Sequence, residues 1–267
     1  MCTIGVVYTK NGVIAFKNRD LIGDRFNIPP NIGTGSQGEY IRFQAVEEEA
    51  FPGIWAGINR AGLFILGADG NAIEQHVGEQ YGDGRKTWET YESVIANTTN
   101  TDEALHKIIN DYNKIKVGET GDIILVGDRH KSVIIEYVYK RWSLQYIYPQ
   151  EDVFGLRTNF FINMPHLRPA EASMSVHASS AKRYERAMSL LSGTGRESTI
   201  KDIKQLCSDH FWGKNAFSIC RHGCREDYHT TGTAIFELSN NSTSKCHYVV
   251  NSNPCCNSYN LLELSDG

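Results

Sequence analysis

Apolar residues fall in short blocks along this chain, and the blocks come in pairs. Cys2-Thr-Ile-Gly-Val-Val-Tyr-Thr9 and Val13-Ile-Ala-Phe16 flank Lys10-Asn11-Gly12. Two β-branched runs joined through Asn-Gly predict a hairpin whose second strand returns beside the first. The polar end of that strand, Lys17-Asn18-Arg19-Asp20, then falls next to Cys2. Gly53 to Asn59 and Gly62 to Asp69 predict a second hairpin, closed by the turn Asp69-Gly70-Asn71, and Asp122 to Asp128 with Ser132 to Val138 a third. Their near-continuous apolar character suggests strands covered on both faces. Further strands are predicted at Trp142 to Tyr148, Phe154 to Phe160, Ala216 to Cys220, Thr231 to Leu238, Lys245 to Val250 and Ser258 to Leu264.

A helical period replaces the strand pattern in four places. Lys86 to Asn97 and Thr101 to Lys114 read as outer-layer helices, the second with Thr101 as N-cap, acids in its first turn and apolar residues at 105, 108, 109 and 112. Ser179 to Leu191 and Ser198 to Trp212 follow, each opening at a serine cap. Asp24 to Gly38 is rich in Pro, Gly and Asn and reads as a loop placed to line a pocket. Strands first, helices in the middle and strands last, with hairpin connections throughout, predict helices packed over two layered antiparallel sheets.

Composition narrows the picture. No Pro/Gly/Ser-rich linker divides the 267 residues, so a single domain over 1–267 is expected. With 40% hydrophobic and 22% charged residues the chain can bury a core, and a net charge of -4 gives no reason to expect nucleic acid. Seven cysteines without the spacing of a secreted disulfide framework, no cleavable leader and no apolar run of about 18 residues predict a cytoplasmic protein that neither enters a membrane nor leaves the cell. Cys220, His222, Cys224 and His229 could ligate a metal, but their spacing matches no common zinc pattern, so structural thiols are expected and neither metal nor cofactor.

The chemistry concentrates at the amino terminus. Once Met1 is removed, Cys2 carries a thiol and a free α-amine on one residue, and an amine titrating near ~8 can take the proton of a thiol titrating near ~8.5. Asp20 can hold the resulting ammonium, while Lys17 or Arg19 favours the thiolate. The competing reading makes Cys2 an early residue of a buried strand.

Several motifs occur together in order: Cys2-Thr3 with Asn18-Arg19-Asp20, Gly57-Ile-Asn59-Arg-Ala-Gly62-Leu63, Thr158-Asn159, Ser180-Ala-Lys-Arg183-Tyr-Glu-Arg186, Ile219-Cys-Arg-His222 and Pro254-Cys255. In this the chain resembles the amino-terminal-nucleophile hydrolases, most nearly the acyl-coenzyme A:6-aminopenicillanate acyltransferase group and more distantly the choloylglycine hydrolases and penicillin V acylases. The resemblance implies an α+β, four-layer αββα sandwich of two antiparallel sheets. It implies Cys2 as nucleophile with its α-amine as base, Asp20 holding the amine, Asn159 as oxyanion donor and Arg183 as the charge that orders the site. The choloylglycine branch has an asparagine near the position of Asp69. A carboxylate there repels an oxyanion, so Asp69 is expected on the substrate or the amine, or protonated, with Asn71 or a backbone N–H taking the donor role.

The expected function is therefore an amidase or acyltransferase that forms an acyl-thioester on Cys2 from a small N-acyl amide or thioester and passes it to water or an amine. A non-catalytic ligand-binding protein of the same fold, or a metal or redox protein using the thiols from Cys220 to Cys256, are the competing classes. A homo-oligomer is allowed. Phe26, Tyr40, Phe43, Trp55, Phe64, Phe160 and Phe161 are candidate pocket walls among aromatics that mostly serve the core. Glu136, which interrupts an apolar strand, is expected to face outward in preference to serving as a pocket carboxylate.

Overall fold

The structure is a computed structural model that describes residues 1–23, 27–44, 53–70, 85–114, 121–138, 141–165, 174–223, 228–240 and 244–264, without the side chains of 85, 86 and 174–176. The first hairpin forms as predicted, from β1 (Cys2–Thr9) and β2 (Gly12–Ile22), with Cys2 opposite Arg19 and Thr9 opposite Gly12. Gly12 takes φ of 141°, a backbone angle that side-chain-bearing residues rarely adopt, and this lets the strand turn directly after Asn11.

Thirteen strands among the described residues divide between two antiparallel sheets. The first runs β10 (Phe154–Arg157), β1, β2, β11 (Tyr228–Ser239), β12 (Ser244–Val250), β13 (Asn260–Leu264). The second is a meander of β3 (Asn31–Gly35), β4 (Gly38–Gln44), β5 (Ile54–Asn59), β6 (Phe64–Asp69), β7 (Asp122–Gly127), β8 (Ser132–Val138) and β9 (Arg141–Ile147). The strand period of two assigns every side chain to a layer. Ile4, Val6 and Tyr8 of β1, Phe236 of β11 and Ile123 and Leu125 of β7 meet between the sheets. Ile124 and Val126, on the other face of β7, pack under α1 (Arg85–Asn97) and α2 (Thr101–Tyr112). Val7, Phe16 and Ile235 pack under α3 (Met174–Thr194) and α4 (Ile200–Cys207). This is the expected αββα sandwich. Among the described residues no helix is long and apolar enough to cross a membrane.

Several local expectations are corrected. The 24–38 segment is not all loop, because Asn31–Gly35 pairs with Gly38–Gln44 as an edge hairpin. Asn100 rather than Thr101 caps α2, accepting from the Glu103 N–H, while Thr101 is buried and bonds Asp128. α3 begins at Met174, so Ser179 lies inside it, where its hydroxyl donates to the Ala216 carbonyl. α4 is capped by Thr199 with Asp202 answering reciprocally and ends at Cys207, well short of Trp212. Residues 216–220 form turns and bends rather than a strand. Asn59, in the Gly-x-Asn-x-x-Gly-Leu motif, is a clamp: its amide donates to the Ile95 and Thr98 carbonyls and accepts from the Leu63 N–H, fastening the β5–β6 turn to the end of α1.

Glu136 does not face outward, and it is not among the described residues that line the cavity at Cys2. It is fully buried, pairs with Arg157 Nε at 2.8 Å and accepts the N–H groups of Ile162 and Asn163 at 2.9 and 3.0 Å. It therefore pins the turn that follows Asn159. Glu136→Ala leaves the Arg157 guanidinium buried without its counter-charge, and the expected cost is roughly 3–5 kcal/mol, read as a fall in the urea midpoint at constant slope.

Candidate active site at the amino terminus

β1 and β10 are hydrogen-bonded neighbours, so the residues just past the end of β10 lie beside the start of β1. Asn159 accepts the Cys2 N–H on Oδ1 at 2.5 Å and donates through Nδ2 to the Asp69 carbonyl at 2.8 Å, tying the two sheets together. From the helical side, Arg183 of α3 donates through Nη1 to the Cys2 carbonyl at 2.6 Å and to Thr3 Oγ1 at 2.9 Å. Its Nη2 reaches Asn159 Oδ1 at 3.2 Å and Ser180 Oγ, one turn back on α3, at 3.1 Å. Cys2 is thus held by its nitrogen on one side and its carbonyl on the other. Burial lowers the Arg183 guanidinium to about 10 against the attraction of Asp20, so it remains charged at neutral pH.

Asp20 lies on the same outer face of β2. Its Oδ1 accepts from Thr230 Oγ1 at 2.8 Å, and its Oδ2 stands 3.8 Å from Arg183 Nη1 and 3.6 Å from Arg221 Nη1. Met1 continues the ladder opposite Asp20: its ammonium donates to the Asp20 carbonyl at 2.8 Å and its own carbonyl accepts the Asp20 N–H at 2.7 Å. Met1 is only 5% exposed, and desolvation lowers the pKa of its ammonium against the attraction of Cys2, Asp69 and Asp20. While Met1 is in place the Cys2 nitrogen is an amide.

On the inner face a cavity of about 210 Å³ opens against Met1 and Cys2. Lys17, Arg19, Asp20, Asp69, Asp122, Trp88, Tyr91 and Tyr228 complete most of its wall. Lys17 is buried, donates to the Trp55 carbonyl at 3.1 Å and the Gly67 carbonyl at 2.5 Å, and lies 5.0 Å from the Trp55 ring centroid. Desolvation lowers its pKa, and the neighbouring Cys2 is the largest influence raising it. Arg19 bonds Asn27 and sits over the Trp55 and Trp88 rings. A Cβ at Gly67 would lie 2.3 Å from the Tyr91 ring, so glycine there lets the ring close the wall.

Of the residues singled out from sequence, the structure brings Cys2, Lys17, Arg19, Asp20, Asp69, Asn159 and Arg183 together. Phe64 lies in the core between the sheets, and Phe160 packs on His177 and Tyr184; neither lines the cavity. Phe26 and Asn71 lie outside the described residues. Sequence reasoning missed Asp122, Tyr91, Trp88 and Tyr228. Asp122 pairs with Asp69 across β6 and β7, a match that two aligned hairpins each bounded by aspartate could have signalled.

Asp122 accepts the Tyr91 and Tyr112 hydroxyls on Oδ2, both at 2.5 Å. Desolvation nonetheless raises its pKa to about 6. The unfolded value is near ~3.9, so the folded chain binds the proton more tightly and this group's contribution to stability, full below about pH 4, is lost as the pH rises through 6. Asp122→Asn removes that loss. Relative to the variant, the wild type is expected to lose on the order of 3 kcal/mol between about pH 4 and 7, measured by urea unfolding at both ends.

No family model and no curated protein matches the sequence. Solved structures do. A mutant of the conjugated bile acid hydrolase from Clostridium perfringens superposes with a TM-score of 0.59 at 13% identity, covering 99% of this chain and 92% of that one. Penicillin V acylase from Agrobacterium tumefaciens gives 0.55 at 12% identity, covering 99% and 86%. At such identities the likeness is one of architecture, and the chain has the amino-terminal-nucleophile hydrolase fold.

Proposed function

We propose that this chain is an amino-terminal cysteine amidase or acyltransferase acting on a small N-acyl amide or acyl thioester. The observation that carries the reading is the double hold on Cys2, its nitrogen on Asn159 and its carbonyl on Arg183, at the wall of a cavity. A strand end serving only the core can satisfy these backbone groups through the sheet ladder; here buried polar side chains reach them instead.

In this reading removal of Met1 frees the Cys2 α-amine, which takes the thiol proton as the sulfur attacks the carbonyl carbon. The tetrahedral oxyanion collapses, the leaving amine or thiol receives that proton, and an acyl thioester remains on Cys2. Water or a second amine then attacks it, returning the thiol. Asp20 acts on the amine through Arg183 and Asn159, which connect the carboxylate to the Cys2 nitrogen. We assign the oxyanion to Asn159 together with backbone N–H groups, the thiolate's counter-charge to Lys17, and substrate positioning to Asp69 and Arg19. Because Met1 is buried in the folded chain, its loss must precede closure of the fold or follow a local opening.

The test is amine or thiol release from a panel of N-acyl amides and acyl thioesters by protein whose mass establishes that Met1 is gone. Turnover of at least one member, absent in Cys2→Ala, supports the reading. Equal rates in the two proteins would overturn it.

A further inference from the structure

Away from the cavity, four metal-ligating side chains from three stretches of chain converge. His210 follows α4, Cys220 and His222 lie on the segment leading toward β11, and Cys255 is in the turn before β13. One ligand atom of each lies within 4.8 Å of the other three. The spacings are those of a tetrahedron without its centre. Bonds of ~2.3 Å to sulfur and ~2.0 Å to nitrogen around zinc separate two sulfurs by about 3.8 Å and a sulfur from a nitrogen by about 3.6 Å. Here the Cys220 and Cys255 sulfurs are 3.7 Å apart, and His222 Nε2 is 3.8 Å from the first and 3.3 Å from the second. The fourth member brings an independent sign: His210 Nε2 is buried and has no hydrogen-bond partner among the described residues, a costly state for a ring nitrogen.

We infer that His210, Cys220, His222 and Cys255 bind a structural zinc ion. Two thiolates and two imidazoles favour zinc over the hard cations, and four protein ligands leave no open position, which marks a structural rather than a catalytic centre. The backbone already holds the three stretches in place. Cys220 N–H donates to the Asp209 carbonyl at 3.1 Å, and Asn253 Nδ2 donates to the Arg221 carbonyl at 2.9 Å. A thiol pair poised for a disulfide would account for the sulfurs but not for two imidazoles beside them.

The position of the cluster gives it a purpose. Between its two adjacent ligands stands Arg221, whose side chain goes the other way, to 3.6 Å from Asp20 Oδ2. An ion joining Cys220 and His222 to His210 and Cys255 therefore fixes the segment that delivers one of the two guanidinium groups beside Asp20. Cys224 lies outside the described residues, and His229, the other ligand considered from sequence, is not in the cluster.

Untagged full-length protein, made with zinc supplied and purified in reductant, is expected to keep about one zinc per chain through gel filtration, by elemental mass spectrometry. Replacement by cobalt should give the visible and near-ultraviolet bands of tetrahedral thiolate coordination. Cys255→Ser and His222→Gln should each lose most of the metal, whereas Cys2→Ala should keep it. Should those variants fail to fold, zinc released from wild type by a mercurial and read with a chromogenic chelator serves instead. Folded wild-type protein that neither carries nor takes up stoichiometric zinc or cobalt overturns the inference. So does zinc retained in full by folded Cys255→Ser, or a metal-free Cys220–Cys255 disulfide as the stable form.

Discussion

Cys2→Ala is expected to abolish acyl transfer while leaving the fold and substrate affinity in place. The side chain is small, sits at a strand end and contributes no hydrogen bond among the described residues, so its loss costs little packing. In the proposed chemistry nothing else forms the covalent bond, and removal of a nucleophile lowers kcat by at least ~10⁴-fold in enzymes that work through one. Retention of Met1 should be as damaging by a different route. It turns the Cys2 amine into an amide that cannot accept the thiol proton, and its own buried side chain occupies the cavity wall. A chain with an uncleavable residue ahead of Cys2 should fold, bind substrate more weakly and turn nothing over.

The second large effect is expected at Asn159. Its oxygen already serves two donors, the Cys2 N–H and Arg183, and its Nδ2 donates to the Asp69 carbonyl. If that NH₂ group also meets the oxyanion, Asn159→Ala should lower kcat by roughly a hundredfold or more with little change in KM, because the bond strengthens only in the transition state. Asn159→Asp separates the two duties. It preserves the acceptor for the amine and removes the donor, so an equal loss in both variants assigns the effect to the oxyanion, whereas a mild Asp variant assigns it to holding the amine. Asp69→Asn keeps shape and removes a negative charge from the cavity, and should alter KM while retaining most of kcat. Loss of kcat in Asp69→Asn with a normal Asn159→Ala would reverse the two assignments.

Much of this was legible in the chain because it rests on local rules. Lys10-Asn11-Gly12 set the hairpin that places Arg19 opposite Cys2 and Asp20 beside Met1. Apolar runs such as Ile123 to Val126 reported burial on both faces and hence the two covered sheets. What was missed depends on partners far away in sequence. Glu136 in an apolar strand looks exposed until Arg157 and the 162–163 backbone are brought to it. Phe64 and Phe160 carried no signal separating core from cavity, since an aromatic reads alike in both. Ala216 to Cys220 has strand-like composition, yet these residues form turns that tie α3 and α4 to β2, with Ser179 bonding the Ala216 carbonyl and Asn18 the Ile219 carbonyl. The Cys220 and His222 pair was visible, but 35 residues separate Cys220 from Cys255 and no spacing rule joins them.

The most direct measurement of the central claim is intact mass spectrometry of the protein before and during reaction with a slowly turned-over acyl thioester. Active protein is expected to lack the mass of Met1 and to gain transiently the mass of one acyl group, mapped by peptide fragmentation to Cys2 and reversed as product forms. Full turnover by a chain that retains Met1, or an acyl group carried on any other residue, would contradict it.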